Sequence, residues 1–329
     1  MFVNWIALVI FSFASLLVSN YQMPKKNNTL HLVDVLSISS GGRKLTPSSH
    51  STVQPVALMR LGLFVPTLKR KGKQVESVSI DASKELSELE IAQSEGYTDI
   101  RISGPRLSME TDFKVWVAII ISFSKYGASS NTIELPFTQF ASFAGYPDKE
   151  KTTVLRKRIA DSLTRLRGTT ITLSTKNMSK HTVTGLLQRG QYDVEADTIR
   201  LQADESLWEL YRIDNQVLLQ MFVLRKLANK GSAQALYTFI ESLPQRPVPL
   251  SFARIKKRLM LTSSEAQQNR TIKKAIEDLQ LSGYLDATVT KKEKEWYLII
   301  HGRNSRKKSP DSDGFPSDFL EKTDEDFSL

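Results

Sequence analysis

From Asp112 onward, apolar residues fall at Phe113, Trp116, Val117, Ile120 and Ile121. This i, i+3, i+4, i+7, i+8 spacing predicts an amphipathic helix, with Gly127 as its stop. A short apolar strand follows around Ile133 and Leu135, and Pro136 then opens a short helix with Phe137, Phe140, Ala141 and Ala144 on one face. Gly145-Tyr146-Pro147-Asp148 has turn chemistry. A helix over 150–167 turns Leu155, Ile159, Leu163 and Leu166 inward and Arg156, Lys157, Arg158 and Arg165 outward. After Gly168, TTITLS is a β-branched strand, 177–181 a polar tip, and 185–191 with 198–201 a second strand pair.

The same order returns further along. Ser232 is the expected cap of a helix with Leu236, Phe239, Ile240 and Leu243 inward, ended by Pro244. Ser251 caps the next, with Phe252, Ile255 and Leu259 inward and Leu250 placed to staple against Ile255. The polar turn TSSEAQQ leads to a helix with Ile272, Ile276 and Leu279 inward, Arg270 at its start, Lys273 and Lys274 outward, and Gly283 at its end. YLDATVT, the tip KKEKE and WYLIIH make a hairpin. Phe137 to Phe252 and Phe140 to Ile255 are both 115 residues, and Ile159 to Ile276 is 117. Helix, short helix, turn, long helix and hairpin is the order of a winged helix. A duplicated pattern at one offset predicts an α+β chain of two tandem winged-helix domains with flexible N- and C-terminal segments.

Charge sharpens this picture. The 329 residues carry 45 Lys and Arg against 35 Asp and Glu, a net +10. Residues 151–176 hold seven basic groups and one acid, and so do residues 254–274. Each segment is +6, which leaves −2 for the remaining chain. Solvated helix faces mix both signs; these two segments do not, and each lies at the matching place of the repeat. The basic excess favours a polyanionic partner, nucleic acid before an anionic membrane surface.

Several chemistries are absent. With 0 Cys there is no disulfide framework and no thiolate metal site. The four His, at 31, 50, 181 and 301, form no local pair. No GxxxxGK[ST] loop exists to cradle a nucleotide, and no HxxR exists for recombinase chemistry. Asp193, Glu195 and Asp197 read as an acidic strand turn rather than a Mg²⁺ site. The chain is therefore expected to be no enzyme and to need no cofactor or metal.

The ends differ from the middle. Residues 1–22 carry no charge, and Trp5–Val18 is mainly apolar but short for a membrane span. A misassigned start is the adopted reading, with a signal or anchor and a buried helix as alternatives. The expected organisation is an apolar extension at 1–22, a flexible segment at 23–55, winged helices at 56–205 and 206–303, and a disordered acidic tail at 304–329. KRKGK and a weakly helical acidic stretch fall within 69–95.

A winged helix reads DNA with its second, groove-entering helix. Arg156, Lys157, Arg158 and Arg165 in the first copy, and Arg270, Lys273 and Lys274 in the second, are the candidate groove residues. Arg254, Lys256 and Lys257 are better placed for phosphates, and Lys291, Lys292 and Lys294 lie at the second wing tip. Trp116, Phe137, Phe140, Phe239 and Phe252 are expected in the core, and one of Trp296 and Tyr297 at the surface. Two such domains would read an asymmetric, two-block site. About ten phosphate contacts would give a log–log salt slope near −9.

Four stretches carry a family likeness: TVQPVALMRLGLFVPTLK (52–69), ISGPRLSMETDFKVWVAII (102–120), LQADESLWELY (201–211) and SAQALYTFIESLPQRPVPLSFARIKKRL (232–259). Over roughly residues 52–303 the chain resembles the RepA initiators of IncFIB-type plasmids, within the iteron-plasmid initiators that include RepE of F and the pi protein. The resemblance implies binding to directly repeated iterons, opening of an A·T-rich region, recruitment of host DnaA and DnaB, and autorepression. It further implies a homodimer in equilibrium with monomer, base reading mainly by the second winged helix (Arg270, Lys273, Lys274), and dimerisation and backbone contact by the first. A cytoplasmic, plasmid-associated protein without membrane attachment is expected. A stand-alone double winged-helix transcriptional regulator is the alternative.

Overall fold

The structure, a computed structural model, describes residues 51–67, 77–84, 86, 96–127, 130–204, 211 and 216–304. All of them fall within one compact unit. The expectations for residues 1–22, for 23–50, for KRKGK with most of the acidic stretch after it, and for the tail beyond Asn304 lie outside the described residues.

The described chain enters on β1 (Ser51–Pro55), α1 (Val56–Arg60) and β2 (Phe64–Val65). All five residues of β1 are buried, so the end of the segment expected to be flexible is a core strand instead. Its polar side chains find partners inside. The Gln54 side-chain oxygen accepts from the Trp116 indole N–H at 2.9 Å and the Tyr211 hydroxyl at 3.2 Å, and its amide donates to the Thr52 hydroxyl at 3.0 Å. A Ser/Thr/Asn-rich composition reads as loop only until such buried acceptors exist.

Next come β3 (Ser77–Asp81), β4 (Asp99–Pro105) and β5 (Leu107–Ser108). The first repeat follows: α2 (Asp112–Tyr126), β6 (Thr132–Pro136), α3 (Phe137–Phe143), a 3-10 turn at Asp148–Glu150, and α4 (Thr153–Arg167). Then come β7 (Thr170–Ser174), β8 (His181–Gly185), β9 (Arg189–Asp193) and β10 (Thr198–Gln202). After β11 (Gln216–Gln220) and α5 (Met221–Lys226), the second repeat is α6 (Gly231–Glu241), β12 (Leu250–Ser251), α7 (Phe252–Arg258) and α8 (Glu265–Leu281). It closes on the hairpin of β13 (Leu285–Lys292) and β14 (Glu295–Arg303).

Both repeats build the same three-stranded sheet, in the orders β6-β10-β9 and β12-β14-β13. Leu135 faces Ile199 in the first, and Leu250 faces Leu298 in the second. The wing of the first copy is therefore β9–β10, not the hairpin that begins with TTITLS. That hairpin, β7–β8, joins another sheet in the order β3-β4-β7-β8. Its register explains the choice: Ile171 and Leu173 of β7 lie opposite Ile102 and Ile100 of β4, and all four are buried. The hairpin is an insertion, and past it the offset between copies falls from 115 residues to 99.

Two helix starts also differ from the sequence reading. Lys230, not Ser232, stands at the cap of α6, and its side chain makes no capping bond. The Glu110 carboxylate lies against Gly231 in the first turn, so an acid from the other repeat supplies the negative charge a helix N-terminus favours. α8 begins at Glu265, within the stretch read as a turn, which places Arg270 in its second turn. Gln268 folds back to donate to the carbonyls of Leu261 at 3.0 Å and Ser263 at 2.7 Å, tying the loop to the new start. Ser251 caps α7 as expected, accepting from the Arg254 N–H at 3.2 Å, and Leu250 and Ile255 are both buried.

The core follows the apolar periodicity. Trp116, Phe123, Phe137 and Phe140 are buried in the first copy, and Tyr237, Tyr284 and Phe252 in the second. The Tyr237 and Tyr284 rings meet edge-on at 4.7 Å. A polar seam joins the copies. The Arg258 guanidinium, only 5% exposed, donates to the carbonyls of Met59 at 2.8 Å and Phe64 at 3.3 Å. Burial pushes it down to about 9, so it stays charged at neutral pH. Arg60 donates in return to the Ser242 carbonyl, at 2.7 and 3.1 Å. Gly62 makes the approach possible: its φ is +74°, and a Cβ there would lie 2.7 Å from the Arg258 carbonyl oxygen. Gly62→Ala is expected to cost about 2 kcal/mol and to lower Tm by about 5 °C. An unchanged melting curve would show that this seam yields freely.

Candidate nucleic-acid interface

The helix expected to enter the groove in the first copy, α4, buries Leu155, Ile159, Leu163 and Leu166 and turns its polar face outward. Its four candidate cations have different fates. Lys157 and Arg158 are exposed. Lys157 meets Asp161 at 3.0 Å in a solvated i,i+4 pair, a weak interaction that DNA phosphates can displace. Arg156, expected to face the groove, instead clamps the wing. It donates to both oxygens of Asp197, at 2.9 and 2.7 Å, and lies over the Phe137 ring at 4.4 Å. Asp197 sits in the β9–β10 turn with φ +49°, and also accepts from the Tyr192 hydroxyl at 2.9 Å. The Arg156 hydrogen bonds hold its carboxyl below the usual range.

Arg165 likewise turns inward. Its guanidinium donates to Asp112, only 1% exposed, at 2.7 Å. The same carboxylate accepts from the Ser162 hydroxyl at 2.6 Å and the Ser108 N–H at 2.7 Å. Both Arg side chains lie where a buried or half-buried carboxylate offers bidentate pairing, which competes well with water. The wing tip of the first copy carries Asp193, Glu195 and Asp197, the acidic turn expected from the sequence. Two charges of the +6 of this segment are thus absorbed within the domain, while Lys157, Arg158, Arg167 and Lys176 stay exposed.

The second copy buries Arg258 in the seam and keeps most of its other cations outside. Arg254 and Lys257 of α7 are exposed, with the Arg254 guanidinium 5.6 Å over the Phe239 ring. Lys256 is mostly covered and bonds Glu265 at 3.0 Å, pinning α7 to the start of α8. Lys273 and Lys274 are exposed but engaged. The Lys273 ammonium lies 3.4 Å from the Trp296 ring centroid, a cation–π contact that ties α8 to the wing. Lys274 meets Glu277 at 3.0 Å and Asp278 at 3.7 Å, and these bonds, that to Glu277 first, raise its pKa. Arg270 is exposed and has no polar partner among the described residues.

The wing itself is tighter than the sequence suggests. Lys291 and Lys292 are strand residues, paired across the sheet with Trp296 and Glu295, and the turn is Glu293-Lys294 with Glu293 at φ +54°. Lys291, Lys292 and Lys294 are all exposed, while Trp296 and Tyr297 are both partly covered. Trp296 packs on Phe252 at 6.2 Å.

One residue of this face was missed. Gln267 is exposed and precedes Arg270 by three residues and Lys274 by seven, so the three share one face of α8. A Gln matches the adenine N6/N7 edge and an Arg the guanine O6/N7 edge. Its signal was hidden by reading TSSEAQQ as a turn. Among the described residues, no cluster of three His, Asp or Glu could hold a metal, and no helix is long and apolar enough to cross a membrane.

Residues 72–241, more than half of the chain, match the family described as Initiator Replication protein, WH1. The chain is similar to a Replication protein RepA of Escherichia coli, 52% identical over 288 residues, covering 86% of this chain and 100% of that one. It is also similar to a RepFIB replication protein A of Escherichia coli, 46% identical over 274 residues, covering 82% and 84%. A solved structure of domains 2 and 3 of RctB covers 75% of this chain and 98% of its own at 14% identity and a TM-score of 0.49. With a family match over half its length and close relatives aligned nearly end to end, the chain belongs to the initiator replication protein family.

Proposed function

We propose that this initiator starts plasmid replication by binding directly repeated iterons with its two winged helices, the second reading bases and the first gripping backbone. The carrying observation is the exposed Gln267–Arg270 face of α8, flanked by a wing that bears Lys291, Lys292 and Lys294. The first copy, whose Arg156 and Arg165 are spent on its own carboxylates, fits the backbone-contacting part. Lys257 and Arg254, on the helix that crosses the backbone, fit phosphate contacts. Opening of an A·T-rich region, recruitment of DnaA and DnaB, autorepression and dimerisation through the first domain extend this reading on the family resemblance. Together they describe a non-catalytic protein acting on plasmid DNA in the cytoplasm.

Footprinting of the full chain over the DNA flanking its own gene is the test. Protection of directly repeated segments, each as two blocks about one helical turn apart, is the expected result. Lys273→Ala with Lys274→Ala should weaken that protection while circular dichroism shows an intact fold. Protection of a single non-repeated site would favour a transcriptional regulator instead.

A further inference from the structure

The helix-turn-helix of the first copy holds donors that no protein acceptor satisfies. Tyr146, in the turn between α3 and α4, is 5% exposed, and its hydroxyl proton has no acceptor among the described residues. A buried hydroxyl proton left unpaired is costly, and so calls for an explanation. Lys114, in the first turn of α2, reaches over the Tyr146 ring with its ammonium 4.9 Å from the centroid. No carboxylate lies within ion-pair distance of Lys114 among the described residues, although Glu150 and Glu110 act on it from further off. Burial pulls the Lys114 ammonium below the usual lysine range and pushes the Tyr146 phenol up, while the Arg158 guanidinium opposes the latter by its charge and by a hydrogen bond donated to the phenol oxygen. Arg158 is exposed on α4.

Helix α2, the α3–α4 turn and α4 of the first winged helix therefore bring together an ammonium, a guanidinium and a phenolic O–H. All three donate, and two are cationic. The matching acceptor is a tetrahedral oxyanion with several free oxygens, which is a phosphate. Position on the helix selects its source. Arg156 faces the wing and holds Asp197, whereas Arg158 lies two residues on, about 200° round the helix. The cluster thus borders α4 on the side away from the acidic wing tip, where a DNA strand flanking the groove would pass.

We infer that Lys114, Tyr146 and Arg158 form a binding site for one backbone phosphate of duplex DNA, and that it is the main grip of the first winged helix. The inference rests on the DNA-binding reading above and adds a defined contact to it. It gives the hydroxyl proton an acceptor in the complex. It also lets the first copy hold one strand while its acidic wing stays clear of the other.

Tyr146→Phe and Lys114→Gln, each in the full chain, test it on a mixed-sequence duplex across a salt titration. Tyr146→Phe removes a hydroxyl whose proton has no acceptor and whose Arg158 partner is exposed, so thermal stability should change little, yet affinity should drop on the order of tenfold. Lys114→Gln should make the log–log salt slope shallower by about 0.9. On footprinted plasmid DNA, ethylation of one particular phosphate should block the wild type and leave both variants indifferent. Wild-type affinity, slope and ethylation pattern in both variants would overturn the site while leaving DNA binding intact. Loss of affinity matched by loss of thermal stability would also overturn it, because a packing role alone predicts that. A wild-type chain that forms no salt-sensitive complex would remove the DNA reading and the site together.

Discussion

Replacing Gln267 and Arg270 together by Ala is expected to erase sequence-selective protection, while affinity for mixed-sequence duplex falls only severalfold. Two bidentate base contacts are worth about 4 kcal/mol of discrimination together, roughly three orders of magnitude. Both side chains are exposed on the leading half of α8 and carry no partner among the described residues, so neither substitution disturbs packing. Lys273 and Lys274 lie further back and are held by Trp296 and by Glu277 with Asp278. Their loss should act mainly through phosphate attraction, across all sequences alike. Competition assays with specific and mixed-sequence duplexes separate the two effects. A Gln267–Arg270 double variant that keeps the wild-type preference would move base reading to the wing or to the first copy.

Asp112→Ala should be the most damaging single change in the first copy. It leaves the Arg165 guanidinium, the Ser162 hydroxyl and the Ser108 N–H without their shared acceptor. Breaking a buried pair in this way costs about 4 kcal/mol, read as a large fall in the denaturation midpoint. Asp112→Leu combined with Arg165→Leu should recover much of the loss, because a well-packed apolar pair avoids the desolvation of both charges. Should the single variant melt like the wild type, the pair would be no more than a surface contact, and Arg165 would return to the list of groove residues.

The apolar periodicity of the chain was a reliable guide to its helices, because burial of one face decides both. Phe113 to Ile121 and Ile272 to Leu279 pack as their spacing requires. The inserted hairpin was harder. Ile171 and Leu173 alternate as any half-buried strand does, and only their partners Ile102 and Ile100, some seventy residues earlier, settle which sheet they join. Charge was legible as a total and misleading as a map. Arg156, Arg165 and Arg258 look like neighbours of Lys157 and Lys257 in sequence, yet Asp197, Asp112 and the carbonyls of Met59 and Phe64 take them. Each of those acceptors is remote along the chain. Tyr146 and Lys114 gave no sequence signal, since a tyrosine in a turn and a lysine at a helix start are ordinary until the missing acceptor is seen.

The pairing of β1 with β11 has a mechanical meaning. Ser51–Pro55 runs antiparallel to Gln216–Gln220, so the chain enters and leaves the whole first repeat through two adjacent strands. The repeat is closed by a clasp at its two ends and is held against the second repeat by the Arg60 and Arg258 seam. Tension applied at residues before and after it would unzip five paired residues one by one and open the loop without first unfolding what it encloses. A relative's first repeat could therefore be transplanted by matching two things, the β1–β11 clasp and the Arg60–Ser242 and Arg258–Met59 seam.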